Sequence, residues 1–160
     1  MPVGKEPEQN DIGALVEALL GKGTYGSLEA ARALGKIGAP AVDPLVRTLA
    51  DTGTNARWRV AIALARVGAP AVEALIDVVN TQEDSARHPA VWALAEIGDQ
   101  RAVGPLIAAL KTGRTECCRA LSAAALLKLG HPDGVAAVED EFLSGDEFFR
   151  DVVYEAQEGP

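Results

Sequence analysis

Apolar residues recur along this chain at spacings of three and four, in short stripes separated by polar loops. That spacing places the apolar residues on one face of a helix, so each stripe predicts an amphipathic helix of about a dozen residues. Ten such helices are predicted along the chain. The clearest stripes are Val42, Leu45, Val46, Leu49, then Val72, Leu75, Ile76, Val79, and then Val103, Leu106, Ile107, Leu110.

One phrase separates the helices. Residues 63–72 read Ala-Leu-Ala-Arg-Val-Gly-Ala-Pro-Ala-Val, and a closely similar phrase stands 30 residues earlier, at 33–42. Its first half returns at 93–98 and at 125–130. The Gly predicts the end of one helix, and the Pro predicts the first turn of the next, where its missing N–H group has no partner to lose. A period near 30 residues predicts an array of about five helix pairs that share one continuous core.

The two ends of the chain depart from this repeat. Residues 1–10 are polar and contain Pro, so we expect them to be disordered, with Asp11 as the N-cap of the first helix. The second helix is predicted to run from about Ser27 to Ile37. The array spans residues 11–145, and residues 146–160 are predicted to form an acidic capping helix. The apolar side of that last helix carries Phe148, Phe149, Val152, Val153 and Ala156.

The chain resembles the short HEAT-like repeats that phycobilin lyase subunits share with deoxyhypusine hydroxylase. The stretch from Ala86-Arg87 through Gly98-Asp99 and on to Leu110 matches the pattern of that class nearly in full, and the likeness covers about residues 12–145. The resemblance implies an all-α fold, a right-handed α-α superhelix (a HEAT-like solenoid) of about five helix pairs. In such arrays partners are usually held on the concave side, which the second helix of each pair lines.

Some positions of the second helices are not needed for the core and form an exposed ridge at i, i+4 and i+8. Both tryptophans of the chain, Trp58 and Trp92, lie on this ridge, with Ile62 between them in sequence. Large apolar side chains with Arg at their edge are typical of a protein-binding groove. The alternative is that the indole rings fill gaps between Ala-rich repeats. The ridge residues are Leu28, Arg32, Lys36; Trp58, Ile62, Arg66; His88, Trp92, Glu96; and Ala120, Ala124, Lys128.

An arginine recurs at one position of three units, as Arg57, Arg87 and Arg119. The resemblance implies a structural role, because an arginine here usually bonds to loop carboxylates or carbonyls. Asp51 and Asp84 are the candidate carboxylates. The alternative is that these arginines help to make the groove basic.

The charge of the chain is uneven. The net charge is −8, and all of the excess lies in residues 131–160, which hold nine acidic residues and one basic residue, Arg150. Affinity for a phosphate backbone requires a dense cationic face, so we do not expect a nucleic-acid partner. The acidic segment is interpreted as a solubilising cap, or alternatively as a tail that competes with ligands for a basic groove.

Metal and cysteine chemistry find little support in the sequence. Deoxyhypusine hydroxylase holds two irons with His-Glu pairs, whereas here His88 alone stands at the corresponding position and Pro89 follows it. We therefore expect no metal and no cofactor. Cys117 and Cys118 are adjacent and give no disulfide framework. Cys118 is predicted to be a small core residue, and Cys117 is either inert or a reactive thiol at a helix N-terminus.

These patterns predict a non-enzymatic scaffold that binds a protein or peptide on its concave face. The predicted partner-binding residues are Arg32, Trp58, Arg59, Ile62, Arg66, His88 and Trp92. Two alternatives stay open, a chromophore lyase or chaperone-like accessory subunit resembling phycobilin lyases, and a homo-oligomer formed through the same ridge. With no membrane-spanning apolar run and no signal peptide, we expect a cytoplasmic protein.

Overall fold

The computed structural model describes residues 9–145 and 147–157. Within those ranges the chain forms ten α-helices and no strand, which confirms the all-α helical-repeat fold. Residues 1–8, most of the segment predicted to be disordered, lie outside the described residues. The helices are α1 (Gln9–Leu20), α2 (Thr24–Ile37), α3 (Val42–Asp51), α4 (Thr54–Val67), α5 (Val72–Thr81), α6 (Asp84–Ile97), α7 (Val103–Thr112), α8 (Glu116–Leu129), α9 (Pro132–Ser144) and α10 (Glu147–Gln157).

The chain divides into two compact units, Met1–Ala74 and Leu75–Pro160, and the division falls inside α5. In the first unit α2 packs against α1 and α4, and α3 packs against α4. The core of this unit consists of aliphatic side chains at the predicted helix spacing, which leaves one face of each helix for other contacts. Its largest fully buried side chains are Leu19, Leu34, Leu45, Leu49, Val60 and Leu64.

In the second unit α8 is the central helix and contacts α6, α7, α9 and α10. Phe149 anchors α10 in this unit, because its ring is fully buried while Glu147 and Asp151 are exposed. The side chains of Phe148, Val152, Val153 and Ala156 lie outside the described part of the chain. Leu75, Leu94, Leu106, Leu110 and Leu126 complete the core.

The helix ends follow the repeated phrase. Gly38, Gly68, Gly98 and Gly130 each end a helix with a positive φ, between 66° and 80°, a region that side chains with a Cβ rarely enter. The amide of each donates to a carbonyl of the helix it ends, at 3.1–3.2 Å. Short 3₁₀ turns then lead into α3, α5 and α7, and the first two contain the predicted prolines, Pro40 and Pro70.

Two helices start about one turn earlier than predicted. Helix α1 begins at Gln9, so Asp11 lies in its first turn and is not the N-cap; a carboxylate there still interacts favourably with the helix dipole. Helix α2 begins at Thr24, three residues before the predicted Ser27, with Gly23 as its N-cap. Ser27 instead donates its hydroxyl to the carbonyl of Gly23 at 3.0 Å. Gly26, which resembles a loop residue in sequence, is inside the helix.

Among the described helices, none has both the length and the apolar character needed to cross a membrane.

Candidate functional site

Helices α2 and α4 of the first unit form an open groove of about 670 Å³, which we call the α2–α4 groove. The helices approach each other closely at Gly35. A Cβ added to Gly35 would lie 2.8 Å from Cβ of Arg66 and 3.1 Å from its carbonyl oxygen, so a side chain there would push the helices apart. The groove is lined by Glu29, Arg32, Ala33, Gly35, Lys36 and Arg66.

The charges around this groove are mostly positive. Arg32 pairs with Glu29 at 3.5 Å, but both side chains are about half exposed, so the pair is weak. No ion pair within the described part of the chain involves Lys36 or Arg66, and both side chains are exposed. Three cations and one carboxylate therefore face the groove, an arrangement that attracts anionic groups.

Apolar side chains continue this surface along the same two helices. Leu28 of α2 is 44% exposed, and Trp58 and Ile62 of α4 are 38% and 36% exposed. Leu28 and Ile62 line a smaller cavity of about 220 Å³ together with Leu19 and Ala31. The predicted ridge residues of the first unit thus lie at the surface, where the large apolar groups adjoin the cationic ones.

Arg59, which the sequence predicts to bind a partner, makes its described hydrogen bonds within the first unit. Its guanidinium donates to the carbonyls of Leu20 and Gly21, at the end of α1. Those carbonyls have no partner inside α1, so Arg59 satisfies them and holds α1 to α4. We therefore leave Arg59 out of the candidate binding surface.

The ridge of the second unit is less exposed than predicted. Trp92 is half-buried and lines a groove of about 390 Å³ with Leu121, Ala124 and neighbouring residues of α6 and α8. Ala120, predicted to be exposed, is buried, because α8 is packed against four other helices. Lys128 pairs with Glu96 across this groove. Trp58 belongs to the first unit and Trp92 to the second.

The repeated arginines are half-buried and bonded within their units. Arg57 donates to the carbonyls of Leu49 and Ala50 at 3.1 and 3.3 Å, and not to Asp51. Arg87 donates to the carbonyls of Val79 and Gln82 and pairs with Asp84 at 2.9 Å.

Arg119 pairs with two carboxylates, whereas Arg87 pairs with one and Arg57 donates to carbonyls. Arg119 pairs with Glu141 at 3.0 Å and with Glu116 at 3.3 Å. Its guanidinium carbon also lies 4.8 Å from the centre of the Phe149 ring.

A cluster that the sequence did not reveal lies between α6 and α8. Ligand atoms of Asp84, His88 and Cys118 all lie within 4.8 Å of one another. His88 was predicted to be a ridge residue, but its side chain is only 20% exposed and packs in this cluster. Burial lowers the pKa of His88, an effect that Asp84 opposes and Arg87 reinforces. Burial likewise raises the pKa of the Cys118 thiol, while Cys117 is exposed.

A family model described as HEAT repeats matches residues 14–95 and 72–157. No curated protein matches the chain by sequence.

Solved structures with a similar fold include a chain from the complex of CpcE and CpcF of phycocyanin lyase from Nostoc sp. PCC7120. It is 21% identical, with a TM-score of 0.65, and the match covers 94% of this chain and 99% of that one. An engineered protein is also 21% identical, with a TM-score of 0.50, over 93% of this chain and 78% of that one. At this level of identity the likeness shows the fold alone.

Proposed function

The chain belongs to the HEAT-repeat family, and on that basis we propose that it is a non-enzymatic binding module whose α2–α4 groove holds an acidic, partly apolar peptide segment of a partner protein. The observation that carries this proposal is the run of exposed cations, Arg32, Lys36 and Arg66, beside Trp58 and Ile62. Carboxylates of the partner would pair with the cations, and its apolar side chains would cover the indole and the isoleucine.

The physical chemistry favours such a peptide over a small polar ligand. The groove is open along the helices and lacks the enclosed, convergent polar groups that small-molecule sites usually have. Arginine and tryptophan are the residues that most often dominate binding energy at protein interfaces. The groove's charge also matches acidic segments and opposes basic ones, which gives selectivity in the sign of the partner's charge.

The structural relatives support a protein partner in general terms. The similar chain from the phycocyanin lyase structure belongs to a complex of two proteins, CpcE and CpcF. Repeat folds of this kind present extended surfaces without any change to their cores, so the partner is set by the exposed residues. Cytoplasmic location and self-association stay predictions.

The proposal is tested with a fluorescein-labelled peptide rich in Glu and Leu, titrated with the full chain and followed by fluorescence anisotropy. We expect binding, and we expect the double variant Arg32→Glu, Arg66→Glu to bind at least about tenfold more weakly, which corresponds to about 1.4 kcal/mol. A peptide with Lys in place of every Glu should not bind.

Arg47→Glu is the matched control. Arg47 is an exposed arginine of the same unit, on α3, and among the described residues its guanidinium donates only to the carbonyl of Asp43, at 3.4 Å. It changes the net charge in the same direction without touching the groove. Equal affinity of wild type and double variant, or equal binding of the Lys peptide, contradicts the proposal.

A second candidate function uses the same groove. Arg32 and Arg66 of the groove, with Trp58 two turns before Arg66 on α4, could hold a tetrapyrrole, with arginine on its propionates and the indole against its rings. This is the role of a lyase or chaperone-like accessory subunit. Titration of the full chain with a bilin should then shift its absorption spectrum, and the shift should disappear in the double variant. An unchanged spectrum removes this candidate and leaves the peptide proposal intact.

A further inference from the structure

Three metal-binding side chains from two helices meet in the second unit. Asp84 and His88 are four residues apart, so they share one face of α6, and Cys118 faces them from the first turns of α8. Their ligand atoms lie within 4.8 Å of one another. We propose that Asp84, His88 and Cys118 bind a thiophilic divalent metal ion of the Zn²⁺ class. This revises the expectation from sequence that the chain holds no metal.

The donor set and the distances suit this ion. Zn²⁺ takes imidazole nitrogen, thiolate sulfur and carboxylate oxygen at about 2.0–2.3 Å, which places tetrahedral ligands roughly 3.5 Å apart. Asp84 Oδ2 and His88 Nε2 are already 3.9 Å apart. Movements of about 1 Å, which side-chain rotation supplies, would bring the remaining donors to bonding distance.

The histidine offers a lone pair that nothing else uses. Its Nε2 is buried and has no hydrogen-bond partner within the described residues, a rare condition for a buried polar atom. Its other nitrogen, Nδ1, lies 3.9 Å from Sγ of Cys117. When the ring proton is on Nδ1 and points at Cys117, Nε2 is unprotonated and its lone pair can bind a metal ion.

The carboxylate is held in place by two donors outside the ligand set. Thr115 donates its hydroxyl to Asp84 Oδ2 at 2.8 Å, and Arg87 donates to Oδ1 at 2.9 Å. Partners of this kind orient the ligands of metal sites and raise their affinity. The guanidinium of Arg87 is itself fixed by the carbonyls of Val79 and Gln82, so its charge stays beside Asp84.

The local charge changes by a definite amount when the metal binds. Asp84 and Arg87 neutralise each other, and the thiol of Cys118 loses its proton to solvent as the metal–sulfur bond forms, which leaves a net charge of one positive unit. Affinity should therefore rise with pH, because metal and proton compete for the sulfur. Three protein ligands leave the fourth position to water, and the ion would join α6 to α8.

Cobalt provides the test, because Co²⁺ reports thiolate and tetrahedral coordination directly. The full chain, first treated with a chelator under reducing conditions, is titrated with Co²⁺ and followed by absorption. We expect one equivalent of Co²⁺ to produce a thiolate-to-cobalt charge-transfer band and intense visible bands. Adding Zn²⁺ should displace the Co²⁺, so that both kinds of band disappear. Zn²⁺ should also raise the melting temperature relative to chelator.

Matched variants identify the ligands. Cys118→Ser should abolish the charge-transfer band, and His88→Gln should weaken Zn²⁺ binding more than a hundredfold, beyond the roughly 10–100-fold range for partners outside the ligand set. The loss of Zn²⁺ affinity in Thr115→Ala should fall within that range, because Thr115 only orients Asp84. Cys117→Ser is the control and should keep the band, because Cys117 faces the other nitrogen of the ring. Circular dichroism checks that each variant is folded.

Two results would overturn the assignment. The first is a charge-transfer band that survives Cys118→Ser and disappears in Cys117→Ser, which would mean that the exposed thiol binds the metal adventitiously. The second is wild-type protein with no band at stoichiometric cobalt. Since the cluster lies in the second unit and the α2–α4 groove in the first, neither result bears on the peptide proposal.

Discussion

At one position of the repeat, the side-chain charges are alike in the first unit and opposite in the second. Lys36 and Arg66 occupy it in the first unit, and Glu96 and Lys128 occupy it in the second. The first pair has like charges, so neither side chain can satisfy the other, and both face the α2–α4 groove. The second pair has opposite charges and forms an ion pair on the second unit's groove. A single residue, Glu96, makes the difference between an available cationic surface and a neutralised one.

The residues that the helical core requires recur in both units, whereas the residues on the exposed ridge differ between them. The helix ends, the buried leucines and the bonded arginines recur in both units because the core requires them. The ridge positions vary because the core does not, and in the first unit the variation has left charge and aromatic area exposed together. We infer that the first unit carries the peptide-binding surface, whereas the corresponding charges of the second unit, Glu96 and Lys128, pair with each other.

The largest expected difference between the units concerns their repeated arginines. Arg119→Ala removes a half-buried pair with Glu141 and a stacking contact with Phe149, and should lower the free energy of unfolding by about 3 kcal/mol. Arg57→Ala removes only bonds to carbonyls and should lower it by about 1 kcal/mol. Urea unfolding followed by circular dichroism measures both. Equal losses would mean that the two positions are energetically alike.

The close approach of α2 and α4 can be tested with two glycines of the first unit. Gly35→Ala places a Cβ within 2.8 Å of Arg66 and should lower the free energy of unfolding by about 1–3 kcal/mol. Gly13→Ala, in α1 where an added Cβ would meet no described atom within 4 Å beyond the neighbouring backbone of its own helix, should raise it by about 0.5–1 kcal/mol. Thermal melts of the two variants should therefore shift in opposite directions. If Gly35→Ala left the free energy of unfolding unchanged, the two helices could move apart without a loss of stability.

A smaller effect is the pH dependence of stability that His88 of the second unit should cause. Burial lowers the pKa of His88 below 6.5, with Asp84 opposing and Arg87 reinforcing the shift, and the thiols of Cys117 and Cys118 also face the ring. In the window below pH 6.5 the unfolded chain binds the proton and the folded chain does not, so unfolding takes up a proton there. Stability is therefore full above pH 6.5 and falls as the pH drops through that window.

The urea midpoint of metal-free protein, measured on both sides of pH 6.5, checks this sign. His88→Gln should flatten the dependence. His131→Asn is the control, because His131 accepts from the amide of Asp133 at the start of α9, a role that Asn also fills. Unchanged pH dependence in His88→Gln contradicts the assignment.

The smallest effect is a change of charge at the compared position itself. Lys128→Glu removes the pair with Glu96 and places two carboxylates together, so it should destabilise by up to about 1 kcal/mol. Arg66→Glu gives Lys36 a partner and should stabilise by up to about 0.5 kcal/mol. Both shifts should shrink in high salt, since these side chains are exposed. Shifts of the same sign would show that the two units respond alike.

Much of the fold follows from local sequence. Gly38, Gly68, Gly98 and Gly130 end helices as predicted, because a positive φ is a local requirement that Gly meets at little cost. The start of α2 was misplaced because Gly26 looks like a loop residue, yet tertiary packing of α2 on α1 and α4 outweighs the modest penalty for Gly inside a helix.

The sites follow from sequence only in part. The exposure of Trp58 and Ile62 agrees with the ridge spacing, since a single helix face determines it. The contacts of Asp84 with Thr115, and of His88 with Cys117, join residues 31 and 29 apart in sequence. They depend on how α6 and α8 are aligned along each other, which hydrophobic periodicity does not specify. The backbone contacts of Arg59 could not be predicted for the same reason, because its acceptors lie at the end of another helix.

The central claim is that the α2–α4 groove receives an acidic peptide, and the most direct test is nuclear magnetic resonance of the ¹⁵N-labelled chain titrated with the Glu and Leu peptide. The account predicts that the largest amide shift changes fall on residues 28–36 of α2 and residues 58–66 of α4, and that they vanish in the double variant Arg32→Glu, Arg66→Glu. Changes confined to the second unit, or a spectrum that does not change, would contradict it.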